Sequence, residues 1–210
     1  GLDDGHVVRS LPFDSSANAN NAVFALDDGL IAFEHSLNKA ENSTFKRIGA
    51  DGQVKWKMPL EGLKVSGAIV HVASKGGYVF GVTDFDFRGE RDGTRGYVGS
   101  ITPDGKLKWL TRLDIEEAKL VDILEADGRI HAVLANGNSF SSGVRSFVVS
   151  LSSGGDVLTA SETPRGKSRL PEGLMISADG RLFVYGVAKN VPRQATAIEA
   201  MRHPDEPWIG

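Results

Sequence analysis

Short runs in which apolar and polar residues alternate, each closed by a Gly- or Asp-Gly-containing turn, fill most of the chain. Period-two alternation with Val, Ile and Phe enrichment predicts half-buried β-strands. In one stretch these are Leu107–Leu110, Leu120–Leu124, Ile130–Ala135 and Arg145–Leu151, and in the next Val157–Ser161, Leu174–Ser177, Arg181–Ala188 and Ala195–Met201. Helical spacing is scarce. The best candidate, Asp114–Leu120, is too short for more than one turn.

The turns recur with a period. One series reads Asp4-Gly5, Asp51-Gly52, Asp104-Gly105 and Gly154-Gly155, with the second glycines spaced 47, 53 and 50 residues apart. A second series interleaves with it: Asp28-Gly29, Gly76-Gly77, Asp127-Gly128 and Asp179-Gly180, spaced 48, 51 and 52. Such dipeptides between apolar runs are strong hairpin signals, because Gly supplies positive φ without a steric cost. Four short strands per period of about 50 residues predict propeller blades, in which radial packing buries both faces of each sheet. The expected units are 4–50, 51–103, 104–153 and 154–203, with 204–210 a tail or the start of a further repeat. The fold expected is therefore all-β: a β-propeller of about four four-stranded antiparallel blades. It is either a small ring, closed by His6–Leu11 pairing with Ala195–Met201, or part of a larger propeller.

The segments Gly96–Trp109, Ser146–Asp156 and Ala178–Gly186 resemble the bacterial propeller repeats of the quinoprotein-like type, including those of seven-bladed propellers. That resemblance implies a blade and does not by itself imply an activity. It also implies that Trp56 and Trp109, each four residues beyond a turn Gly, pack between neighbouring blades. Truncation of a fully buried Trp there costs about 3–5 kcal/mol.

Composition narrows the function classes. With 24 Lys+Arg against 27 Asp+Glu, the chain lacks the basic footprint of a duplex-binding protein, and no nucleic-acid partner is expected. No apolar run reaches the length of a membrane-spanning helix, and the first residues do not read as a signal peptide. The absence of Cys excludes disulfides and thiolate chemistry. An extracytoplasmic setting, periplasmic or secreted, is the expectation for such a repeat.

If the tight turns share one end of the blades, the longer connections share the other, and loops on a rigid scaffold are the usual carriers of binding groups. The expected binding set on that face is Asp84, Asp86, Arg88, Asn136, Asn138, Arg165 and Arg169. Asp84, Asp86, Glu90 and Asp92 are oxygen ligands of the type Ca²⁺ takes, but their spacing departs from an EF-hand loop, and no cofactor is otherwise expected. His6, His35, His71, His131 and His203 form no HxH or HExxH pattern, and no Gly-x-Ser-x-Gly elbow is present.

With no convergent catalytic set in view, the expected function is a non-catalytic binding or scaffold propeller holding a protein or glycan partner at the long-loop face. The alternative is an enzyme or metal-dependent module of the quinoprotein-like class. Self-association is expected if the ring is open.

Overall fold

A computed structural model of the chain describes residues 19–36, 43–63, 65–84, 93–136, 145–163, 168–189 and 205–209. These residues form antiparallel strands: β1 (Ala19–Leu26), β2 (Gly29–Ser36), β3 (Thr44–Gly49), β4 (Val54–Pro59), β5 (Val65–Val72), β6 (Tyr78–Asp84), β7 (Arg95–Ile101) and β8 (Leu107–Leu113). The second half continues with β9 (Ala118–Ala126), β10 (Arg129–Asn136), β11 (Arg145–Ser152), β12 (Val157–Glu162), β13 (Ser168–Ile176), β14 (Leu182–Lys189) and β15 (Asp205–Ile209). Four meanders result: β1–β4, β5–β8, β9–β12 and the three-stranded β13–β15. The innermost strands β1, β5, β9 and β13 pack each on the next, so the sheets stand in series about one axis. This is a β-propeller arrangement. Among the described residues β1 and β13 make no packing of comparable extent, and the proposed pairing of His6–Leu11 with Ala195–Met201 lies outside those residues.

Turn chemistry sets the register. In the β3–β4, β7–β8 and β11–β12 turns, the glycines Gly52, Gly105 and Gly155 donate to Gly49, Thr102 and Ser152, at 2.8, 2.9 and 3.0 Å. With positive φ at each Gly, this is a three-residue connection, a type I turn followed by a left-handed residue. The β9–β10 turn is instead a two-residue connection, with Asp127 at φ 49 and Gly128 at φ 70, as a primed turn requires. Because every strand reverses, all these turns lie at one end of the sheets. The connections β2–β3, β4–β5, β6–β7, β8–β9, β10–β11 and β12–β13 lie at the other.

Alternation places successive side chains on opposite faces, and both faces of the middle sheets are buried. Phe80 and Val82 on β6 join Phe33, Phe45 and Met58 in the core between the first two sheets, where Phe45 contacts both Phe33 and Phe80 at 4.9 Å between ring centres. Their neighbour Val79 faces the other way, into a core with Ile123, Ile130, Leu134 and Leu151. Val133 in turn faces Leu174 and Val184 of the fourth sheet.

The hydrogen-bonded sheets are offset by one strand from the sequence units. Leu107–Leu113 pairs with Arg95–Ile101 and closes the second sheet, whereas the sequence reading grouped it with the strands that follow. The most visible turn of the repeat joins the third strand to the fourth, so a period that starts from it straddles two sheets. The segment expected as a tail or new repeat, Asp205–Ile209, pairs with β14 as the third strand of the last sheet. Trp56 on β4 donates its indole N–H to Pro103 O (3.0 Å) in the next sheet, and Trp109 on β8 donates to Ser153 O (3.3 Å) one sheet further on. Both rings are half-buried.

Candidate functional site

Of the binding groups expected at the long-loop end, Asp84, Asn136 and Arg169 lie among the described residues. Asp84 closes β6 and is buried, 7% exposed, opposite Arg95 in the register. Asn136 closes β10 and donates its amide to Glu116 O (2.8 Å), which ties it to the β8–β9 connection. Arg169 lies in β13, its backbone opposite Ala188. Asp86, Arg88, Glu90, Asp92, Asn138 and Arg165 lie outside the described residues. Among the described residues no group of three or more His, Asp or Glu is placed to hold a metal ion. Arg95 Nη1 at this end is buried without a protein acceptor, a costly state for a guanidinium donor, and has no surface open to a ligand.

A different set gathers at the axis. Asp122 interrupts the apolar run of β9, and its carboxylate bridges blades. Oδ2 accepts the N–H of Leu174 on β13 (2.9 Å), Oδ1 accepts the N–H of Ile123 (2.9 Å), and His71 Nε2 of β5 stands 3.8 Å from Oδ1. The Asp122 side chain keeps 21% of its surface exposed and that of His71 39%, so both remain reachable from solvent. Glu172 lies on β13 two residues before Leu174 and is exposed.

Backbone irregularity accounts for this placement. The pairing slips by one residue at Ser66 on β5, at Val121 on β9 and at Glu172 on β13, giving a bulge in the innermost strand of three consecutive sheets. A bulge bends its strand and re-aims the neighbouring side chains. Between the second and third sheets, Gly67, Ala68, Gly81, Thr83, Lys119 and Leu120 line a 250 Å³ hollow beside these bulges. Thr83 Oγ1 accepts the N–H of Leu120 (3.0 Å) there.

None of Asp122, His71 and Glu172 was selected as a functional residue from the sequence. The available signal was the charge of Asp122 inside Leu120-Val121-Asp122-Ile123-Leu124, a polar group in an otherwise buried run.

No family model matches the chain, and no curated protein matches it in sequence. Solved structures do. An endo-1,4-beta-xylanase from Bacteroides thetaiotaomicron superposes with a TM-score of 0.54 at 14% identity, over 90% of this chain and 69% of that one. A thermostable family-43 glycoside hydrolase gives 0.52 at 11% identity, over 84% and 67%. An endo-arabinase from Bacteroides thetaiotaomicron gives 0.50 at 13%, over 90% and 72%.

These likenesses support the propeller fold and correct two expectations. The quinoprotein-like assignment is not supported, since the propellers matched are glycoside hydrolases. The expectation of a non-catalytic binding scaffold is overturned by the same matches, whose descriptions are those of glycan-degrading enzymes. Of the expected partners, a glycan agrees with these neighbours, while a protein partner and self-association gain no support. No helix among the described residues is long and apolar enough to cross a membrane.

Proposed function

We propose that the chain is a glycan-cleaving propeller, hydrolysing glycosidic bonds of a polysaccharide of the xylan, arabinan or galactan type at its axis. The observation that carries this reading is the likeness of its sheet arrangement to solved xylanase, arabinase and galactanase structures. Glycoside hydrolysis calls for two carboxyl groups flanking the scissile bond, one giving a proton to the leaving oxygen while the other activates water or attacks. Asp122 and Glu172, on adjacent inner strands, are the pair this reading assigns. Asp122 is oriented by two backbone N–H groups, and exposed Glu172 sits on a bulge that turns it out of the ladder. His71 Nε2, 3.8 Å from Asp122 Oδ1, adds a further polar group beside this pair. Polysaccharides do not cross membranes, so an extracytoplasmic setting, periplasmic or secreted, goes with this reading.

The test is release of reducing ends from xylan, arabinan and β-1,3-galactan, with Asp122→Asn as the comparison. Cleavage of one of the three is expected, and the variant is expected to lose at least about 100-fold in rate. Its melting temperature is expected to fall by about 2–4 °C, because the amide oxygen can keep the Leu174 N–H while the amide NH2 leaves the Ile123 N–H without an acceptor; an unchanged circular dichroism spectrum below the transition checks that the fold is kept. No release from any of the three, or full activity in the variant, overturns the assignment.

A further inference from the structure

The tight-turn end carries a cleft of 520 Å³ between the first two sheets, lined by Asp28, Arg47, Asp51, Lys55, Trp56 and Tyr78, among others. It lies at the opposite end of the sheets from the long loops. Two of its residues break the repeat. Arg47 pairs with Trp56 in the register, and the residues holding that place in the next two sheets are Ser100, paired with Trp109, and Ser150, paired with Thr159. Tyr78 pairs with Ile101 where the corresponding positions hold Leu30, paired with Ile48, and Ile130, paired with Leu151.

The two departures touch: Arg47 Nε donates to Tyr78 Oη at 3.2 Å. Room for the guanidinium comes from Gly29, where an added Cβ would stand 2.5 Å from Arg47 Nη1. Arg47 is 5% exposed, and burying a guanidinium is costly where Ser suffices elsewhere in the same fold. Its remaining donors bind Asp28 and the carbonyls of Leu30 and Ile48, so its head is fully occupied. What it does is fix Tyr78 and Asp28 at the cleft wall.

That wall has the chemistry of sugar recognition. Trp56 and Tyr78, both half-buried, lie 5.9 Å apart at an angle of 55° between ring planes and bring aromatic surface to the cleft wall, one face of Trp56 being covered by Gly105. Asp28 beside Arg47, and Asp51 with Lys55 Nζ at 2.6 Å, offer planar polar groups for hydroxyls. Two carboxylates balance two cations, so the lining has no net charge with which to draw in an anion or a cation.

We propose that this cleft is an auxiliary binding site for a neutral saccharide chain, remote from the axis. The proposal rests on the glycan-cleaving reading in its choice of sugars. The experiment follows the indole N–H resonance of Trp56, assigned by its loss in Trp56→Phe, while xylohexaose, neutral arabino- and galacto-oligosaccharides and anionic oligogalacturonate are titrated. Asp122→Asn protein is used to prevent turnover. A saturable shift with a neutral oligosaccharide and none with oligogalacturonate is expected. In the R47S/Y78L variant, which restores the repeat's own residues and whose fold is checked by an unchanged Trp109 resonance, the affinity should fall at least tenfold.

No shift with any neutral probe, an equal response to oligogalacturonate, or a shift that persists in R47S/Y78L overturns the proposal. Hydrolysis by the parent chain, set beside the Trp56 response of the chain with Arg47 and Tyr78 in place, separates the two readings. Cleavage without a Trp56 response removes the auxiliary site alone, and a Trp56 response without cleavage removes the catalytic assignment alone.

Discussion

Gly105 and Gly155 each lie under a tryptophan from the preceding sheet, and each has a positive φ, 86 and 94. A Cβ on Gly155 would stand 2.7 Å from Trp109 Cδ2, so the position is closed by conformation and by contact together. Gly180 has φ 81 with no atom within 4 Å of such a Cβ, so it isolates the conformational part. Gly180→Ala is expected to cost about 1–2 kcal/mol and Gly155→Ala at least about 1 kcal/mol more, read from urea midpoints at unchanged m-value. Two histidines carry a pH prediction. Burial pushes the His35 imidazole below its ordinary value, and burial followed by Arg129 does the same for His131. Their Nδ1 atoms lie 2.9 Å from Ser43 Oγ and Ser150 Oγ. The unfolded chain therefore binds protons that the folded one excludes. Stability should be full above about pH 6.5, the unperturbed value, and should fall as the pH drops from there through the folded values. Urea denaturation across that window should show a shallower slope for H35Q/H131Q than for the parent.

At the level of elements, what joins neighbouring sheets is a tryptophan on an outer strand reaching the next sheet's tight turn. Trp109 is half-buried, so Trp109→Ala is expected to cost about 2–3 kcal/mol, below the range for a fully enclosed ring; the urea midpoint gives the value. The third sheet has Thr159 in that place, and β12 is more exposed than β4 or β8, with Val157 49% and Leu158 48% exposed. The strands themselves were legible because alternation and turn residues agreed. Leu120–Leu124 was recognised but extends to Ala118–Ala126, and Leu174–Ser177 is the end of the longer Ser168–Ile176. Both were underestimated for one reason: a bulge breaks the period-two pattern from which strand length is read. The expected turn of helix at Asp114–Leu120 is partly the start of β9.

For the whole molecule, four sheets in series bury three cores between them, and the axis is lined by strands whose starts lie 46, 53 and 50 residues apart in sequence. The predicted loss of hydrolysis in Asp122→Asn belongs to this scale, because Asp122 gains its partners only when β5, β9 and β13 meet. His71 and Leu174 lie 51 and 52 residues to either side of it. Retention of the fold in that variant separates a chemical role for the carboxylate from a bridging one.

The sequence by itself determined the repeat, the all-β class and the end of the blades at which the tight turns lie, because these depend on local alternation and on where Gly can stand. Tertiary structure decided which strands share a sheet, since hydrogen-bond pairing is not encoded in a count of periods. It also decided that Asp84 is buried, that Asp122 and His71 converge, and that Arg47 and Tyr78 meet across two sheets. Those outcomes depend on contacts between residues tens of positions apart, which one strand's pattern of polar and apolar residues does not record.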